Sequence, residues 1–396
     1  LTSLNFTGAG VTATNTGGAV TVAVTGGGGG LTGFTAAEST AAPNATVYVD
    51  SLTAAAASTN ADVAFVAKGT GATLAQVPDS TTAGGNKRGT HATDWQKSRT
   101  ASNQVASGNY STIAGGQNNR ASGEYSSVVN GESNIAGGVY SSIVGGYSNT
   151  ANGGAGVVVG GNNNSASQNN TVVVGGISNT ASNQAAVVLG GQNNTASNSY
   201  SAVVSGLSNT VSSSFSVVLG GSNNTANNSN SAIIGGAYGN ARSINGNFVY
   251  PASVSPISTT TGVQQLATLL LACQTTDATA TVLRSNTSAA GTTNQVILPN
   301  NSAYTFQGTC IAARTAAGDT SSWKFEGAIK RGANAASTTL VAAVTPTVIA
   351  QDAGASTWVL AITADTTNGG IAVTVTGAAA TTIRWVAKIE TTEVTF

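Results

Sequence analysis

Residues 157 to 181 read VVVGG NNNSA SQNNT VVVGG ISNTA, so the motif VVVGG returns after fifteen residues. The period extends in both directions. Gly116, Gly131, Gly146, Gly161, Gly176, Gly191, Gly206, Gly221 and Gly236 fall on it without a slip. Three positions earlier stand Ile113, Val128, Ile143, Val158, Val173, Val188, Val203, Val218 and Ile233, and the next column is again almost wholly aliphatic, with Val174 as its midpoint. An Asn column runs from Asn119 to Asn224, and an Ala column, with Val211 in one place, closes each unit. Nine units of fifteen fill residues 107 to 241.

A fixed short period marks a stacked repeat. Fifteen residues are too few for a pair of helices, and Gly and Asn disfavour any helix. The reading is an all-β chain with a parallel β-solenoid, or β-roll. Each coil carries one β-branched strand, a Gly turn and a polar stretch ending in Ala. Neighbouring residues of a strand face opposite ways. Two adjacent aliphatic columns therefore predict that both faces are buried. One coil holds only one narrow core, so the second face calls for another chain, and a fibrous homotrimer is expected. Val128, Val158, Val173, Val174, Val188, Val203, Val218 and Ile233 are its expected solenoid and trimer core. The Gly176 column is expected at backbone positions that exclude a Cβ. The Asn column is expected to form a hydrogen-bonded ladder along the stack.

Composition narrows the function classes. The 396 residues hold 50 Gly, 14 Lys+Arg and 14 Asp+Glu, so formal net charge is zero. Charged residues are 7% of the chain, against about 25% in an ordinary domain. No Asp, Glu, Lys or Arg occurs from Asn134 to Ala241. No electrostatic drive toward nucleic acid or an anionic membrane exists. No run of about 18 apolar residues is present, so no membrane insertion is expected. There is no Met, and Leu1 reads as an internal or processed start. Cys273 and Cys310 read as buried thiols, and with His91 as the one His no metal site or cofactor is expected.

The flanks differ from the repeat. Residues 1–50 form an N-terminal Gly-rich β segment with a strand near 19–25 and a five-glycine hinge at Gly26 to Gly30. Residues 51–106 form a connector or collar, with a hairpin expected at 62–73. Within it Lys87, Arg88, His91, Asp94, Lys97 and Arg99 concentrate charge, and ion pairs with a packed Trp95 are expected. Residues 242–256 read as a linker. In 257–396 the repeat stops and strands alternate: Trp323, Phe325 and Ile329 oppose Lys324, Glu326 and Lys330, while Ile383, Trp385 and Ile389 oppose Arg384, Lys388 and Glu390. This is a C-terminal β-sandwich of jelly-roll type, with Trp323, Trp358 and Trp385 in its core.

Units such as ASGNYSTIAGG at 106–116 and ASGEYSSVVNG at 121–131 resemble the head repeats of trimeric autotransporter adhesins. They resemble equally the repeats of bacteriophage tail fibres. The opening LTSLNFTGAGV, the charged segment 85–99 and the stretches WKFEGAIKRGA at 323–333, ADTTNG at 364–369 and IRWVA at 383–387 also resemble tail-fibre modules. The resemblance implies a structural fibre of a phage virion, exterior on the tail. Its N-terminal end would meet other tail or baseplate proteins, and its C-terminal tip a host cell-surface glycan or protein. A bacterial trimeric surface adhesin is the alternative, and a tailspike depolymerase a third. An enzyme is not expected, because paired carboxylates at about 5 to 9.5 Å are needed and the solenoid holds only Glu124 and Glu132. Receptor contacts are expected on sandwich loops, since loops on a rigid scaffold vary freely. The candidates are Thr315, Asp319 and Ser321, then Asn334, then Asp352 and Ser356, then Thr366 and Asn368.

Overall fold

The computed structural model describes residues 65–254, 256–315 and 318–396 in full, and 11–16, 19–24, 34–39 and 49–54 as backbone. The chain divides into two units, Leu1–Val66 and Ala67–Phe396. In the first, Val11–Thr16 pairs antiparallel with Ala19–Val24, and Phe34–Ser39 with Val49–Ala54. The five-glycine hinge and most of the opening motif lie outside the described residues.

The second unit contains the solenoid. Each coil supplies two short strands, not one. The β-branched stretch, such as Val157–Val158, pairs in parallel with its copies fifteen residues away. The polar stretch ending in Ala, such as Ser165–Ala166, does the same in a second, eight-stranded parallel sheet. Polarity concealed this strand, because Thr and Ser project outward from it and only Ala points in. The Ile113-to-Ile233 column and the Ala121-to-Ala241 column meet as one buried cluster. Val128, Val158, Val173, Val188, Val203, Val218 and Ile233 are fully buried within it.

The Asn column is a ladder inside the coil. Asn164 Oδ1 accepts from the backbone N–H of Asn179 at 3.0 Å. Its Nδ2 donates to the carbonyls of Gly160 at 2.9 Å and Gly176 at 3.0 Å. A buried amide is thereby satisfied by its own coil and the next, which removes the cost of an unpaired polar group. Gly176 has φ +89°, and a Cβ there would meet the carbonyl oxygen of Gly191.

At the N-terminal end the sheet continues through Thr93–Asp94 and Thr73–Leu74, both parallel. Residues 68–71 form a turn, but Thr73–Leu74 finds this parallel partner, so the described part of 62–73 is not a hairpin. Asp94 occupies the aliphatic column, fully buried and paired with Arg88 Nε at 2.7 Å. Gln96 Oε1 accepts from Asn119 N–H at 2.6 Å, ending the Asn ladder. The expected ion pair is present. Trp95 is not packed; it is half exposed, because it falls in the outward column above Asp94.

At the other end the stretch read as a linker contains a strand. Phe248–Pro251 pairs in parallel with Ala232–Ile233 and antiparallel with Gln264–Thr275. One solenoid sheet thus passes directly into the larger sheet of the sandwich. That sheet continues through Ile383–Thr395, Ser302–Arg314, Thr320–Arg331 and Thr347–Gln351. A smaller sheet has Gly370–Thr376 paired with Thr281–Val282, Val296–Ile297 and Val359–Asp365. Trp323, Phe325, Ile329, Trp385 and Ile389 pack between the sheets against Trp358, Leu360, Ile371 and Val373. Cys310 is buried and Cys273 half-buried, both unpaired. Burial pushes their thiols up to about 12 and about 11.

Candidate functional site

Strand register decides where each candidate loop lies. Gln265 pairs with Pro251 beside the solenoid, while Thr275 pairs with Ile383 at the far end. Arg314 also pairs with Ile383, and Gln351 with Ser321, so loops 315–319 and 352–356 both open at the end away from the solenoid. Arg331 pairs with Ser302, and Ser302 with Thr395, which puts loop 332–338 at the solenoid end. Loop 366–369 lies there too, tied by Leu298 N–H to the Gly369 carbonyl at 3.0 Å and by Arg331 Nη1 to Leu298 O at 2.5 Å. The four candidate loops are therefore two pairs at opposite ends.

The distal pair is cross-linked. Asp352 Oδ2 accepts from the N–H and the hydroxyl of Thr320, at 2.8 and 2.9 Å. Those two bonds, the backbone one first, hold its carboxyl below the ordinary value. Asp319 lies 3.5 Å from Arg314 and against Gly354, where a Cβ would crowd the carboxylate. Thr315 N–H donates to Thr382 O at 3.1 Å, bringing a third connection to the same end. Beneath sit Trp323 and Trp385 at 5.7 Å, with Trp358 tilted against Trp385 at 5.9 Å. Trp385 Nε1 donates to Thr275 Oγ1 at 3.0 Å. All three indoles are core, as expected, and they stiffen the platform under the loops.

Thr315, Asp352 and Ser356 are exposed and Asp319 half-buried. Ser321 is buried, because its alternation points it inward, where Gln351 Nε2 donates to its hydroxyl at 3.2 Å. It is unavailable to a ligand. At the opposite end Asn334 is spent capping a short 3-10 turn with Ser337, and Asn368 is held by Asp365 at 2.7 Å. Thr366 is exposed but apart from the distal group.

On the outer face of the larger sheet, a depression of about 430 Å³ is lined by Leu266, Thr305, Gln307, Glu326, Gly327, Glu390 and Thr392. Glu390 and Glu326 lie on strands either side of Gln307. Lys388 at 3.0 Å and Gln307 at 3.1 Å hydrogen-bond Glu390 and hold its carboxyl below the ordinary value. The amide and carboxylate groups of this face can hydrogen-bond hydroxyls. The outward alternation of 324/326 and 388/390 was legible, but that the two rows adjoin across the Ser302–Arg314 strand was not.

No family model matches the chain, and no curated protein matches it. Among solved structures it is similar to the crystal structure of the Acinetobacter baumannii phage AM24 tailspike protein, at 8% identity and a TM-score of 0.20. The similarity covers 77% of this chain and 56% of that one, so the chain spans little more than half the length of that protein.

Proposed function

We propose that this chain is an attachment fibre of a tailed bacteriophage: a parallel homotrimer whose solenoid is the shaft and whose sandwich is the host-binding tip. The observation that carries this reading is an unbroken apolar strip on the outside of the continuous sheet. Val129, Val144, Val159, Val174, Leu189, Leu219 and Ile234 are each 40–48% exposed in the single chain. Phe248, Tyr250, Leu266 and Leu270 prolong the strip onto the sandwich. A contiguous exposed apolar strip of this length, rimmed by polar residues, marks an interaction surface. The opposite sheet is faced by Arg120, Ile135, Thr150, Ser165, Thr180, Thr195, Thr210 and Thr225, polar but for Ile135. A second and third copy present the same 15-residue spacing, so identical strips mesh in register.

The tip contacts are Thr315, Asp319, Asp352 and Ser356 at the distal end, repeated around the axis so that individually weak contacts add. The resemblance of the opening, connector and tip segments to tail-fibre modules favours a virion over a bacterial surface. The fibre acts by binding, without catalysis.

Sedimentation of the full chain is expected to give three copies; a stable soluble monomer overturns the homotrimer. Immunogold labelling with antibody against the chain is expected to mark the tails of purified virions. Label on the bacterial envelope instead, with bare virions, overturns the fibre in favour of the adhesin.

A further inference from the structure

One corner of every coil places a residue in the left-handed backbone region, with φ between +52° and +59° at positions 110, 125, 140, 155, 170, 185, 200, 215 and 230. Asn and Gly suit that region, whereas bulky side chains and Ala are disfavoured there. The occupants are Tyr, Tyr, Tyr, Ala, Asn, Ala, Tyr, Phe and Asn. Only the two Asn are what the backbone prefers, so the aromatic and Ala choices answer to side-chain size.

The aromatics stack along the axis. His91, Tyr110, Tyr125 and Tyr140 follow one another at 5.1, 4.9 and 5.0 Å between ring centres. Tyr200 and Phe215 resume the column at 5.1 Å, with planes 4° apart. Between Tyr140 and Tyr200 the column is interrupted by Ala155, Asn170 and Ala185. Tyr125, covered on both sides, is 44% exposed; Tyr140, at the edge of the interruption, is 63% exposed. Tyr140 and Tyr200 thus end the two stacks, four coil rises or about 19 Å apart. The floor is lined by Gly154, Asn169, Asn170 and Gln184 from the adjoining positions, and the side-chain amides of Asn170 and Gln184 have no partner among the described residues. No charged residue lies anywhere in this part of the chain.

We propose that the interruption between Tyr140 and Tyr200 is a binding slot for an uncharged oligosaccharide. Aromatic faces pack against the apolar C–H faces of pyranose rings, and the Tyr hydroxyls at the ring edges remain free for hydrogen bonding. Free carboxamides on the floor both donate to and accept from sugar hydroxyl and acetamido groups. Less the thickness of the flanking rings, the gap is about 15 Å, so a sugar stacked on either Tyr ring leaves room for its neighbour over the floor amides. The lack of charge selects against acidic sugars, which would bring uncompensated charge to an uncharged surface. The slot is independent of which particle carries the chain.

The test is saturation-transfer NMR and calorimetry on the full chain with chitotetraose and cellotetraose as probes. Binding of at least one is expected. Tyr140→Asn combined with Tyr200→Asn puts the residue favoured by the backbone at both walls, so the fold is kept, and affinity is expected to fall at least tenfold. Ala155→Tyr combined with Ala185→Tyr extends the aromatic stacks into the slot and is expected to abolish binding as well. Tyr110→Asn, two coils before Tyr140, is expected to leave affinity unchanged. The proposal is overturned if neither probe binds, or if the filled and the wall-less variants bind as the natural chain does.

Discussion

The solenoid and the sandwich of the second unit both bury apolar side chains between two sheets, but they satisfy their interiors differently. In the solenoid each buried group meets a copy of itself fifteen residues away, so Asn164 is completed by Asn179 and Gly176. Within the regular coils no charge enters the core, because a charge in a column would face its own repeats at about 4.8 Å. The sandwich has no such translation. Its Trp323, Trp358 and Trp385 make contacts found once each, and it tolerates a buried ion pair, Arg242 with Glu393 at 2.6 Å, where it meets the last coil. A repeat thus distributes a defect to neighbouring coils, whereas the sandwich concentrates it.

The largest expected effect tests the inside against the outside of the solenoid. Val173→Asp puts an unpaired carboxylate into a closed column, a cost of several kcal/mol. Circular dichroism should show loss of folding. Val174→Asp, one residue on, lies on the half-exposed strip and should keep the fold while sedimentation shows loss of self-association. Equal unfolding by both substitutions breaks the distinction between the two columns.

Next comes the turn. Gly176→Val places a β-branched residue at φ +89° against the Gly191 carbonyl. Backbone strain of about 1–3 kcal/mol adds to displaced ladder bonds of about 1 kcal/mol each. Ser182→Val, half-buried just past the Thr180–Ala181 strand, should change thermal stability much less. Similar melting temperatures for the two would mean that the coil does not depend on its glycine corner.

The junction ranks third. Arg242→Ala strips the buried Glu393 of its guanidinium, and also removes a contact over the Tyr304 ring at 5.5 Å. Gln265 Nε2 at 2.9 Å and Thr391 Oγ1 at 2.8 Å still serve the carboxylate, so about 3 kcal/mol is expected, at the low end for a broken buried pair. Denaturant unfolding should record it. An unchanged midpoint would show that the solenoid and sandwich are not braced by this pair.

The two regions also differ in how far their sequences could be read. Translation made the solenoid legible: one aligned unit exposes the Gly turn, the Asn ladder and the inner column together. The second strand stayed hidden, since Thr180 and Ser165 point to solvent and only one small Ala per coil faces in. In the sandwich, alternation identified the inward Trp residues, but register is a property of pairs of strands. Nothing local places Asp352 beside Thr320, or sends Asn334 and Thr366 to the opposite end. Phe248–Pro251, at four residues, carries too short a pattern to declare both a parallel and an antiparallel partner.

The smallest expected effect concerns the distal loops, where the sandwich departs furthest from solenoid logic by using one exposed carboxylate as a clasp. Thr320 donates to Asp352 through its N–H and its hydroxyl, and these bonds hold the carboxyl below its ordinary value of 3.8. A depressed carboxyl contributes fully above its unfolded value and loses that contribution as pH falls through the lower, folded one. The clasp should therefore survive mild acid and open only below about pH 3.8. The measurement is an NMR titration of the Thr320 amide, expected to move with a midpoint below 3.8 in the natural chain and to lose that step in Asp352→Asn. Global melting should hardly respond, because the group is fully exposed. A midpoint at or above the ordinary value would mean that the two loops are not tied through Asp352, and the distal platform would then lack its only cross-loop carboxylate bond among the described residues.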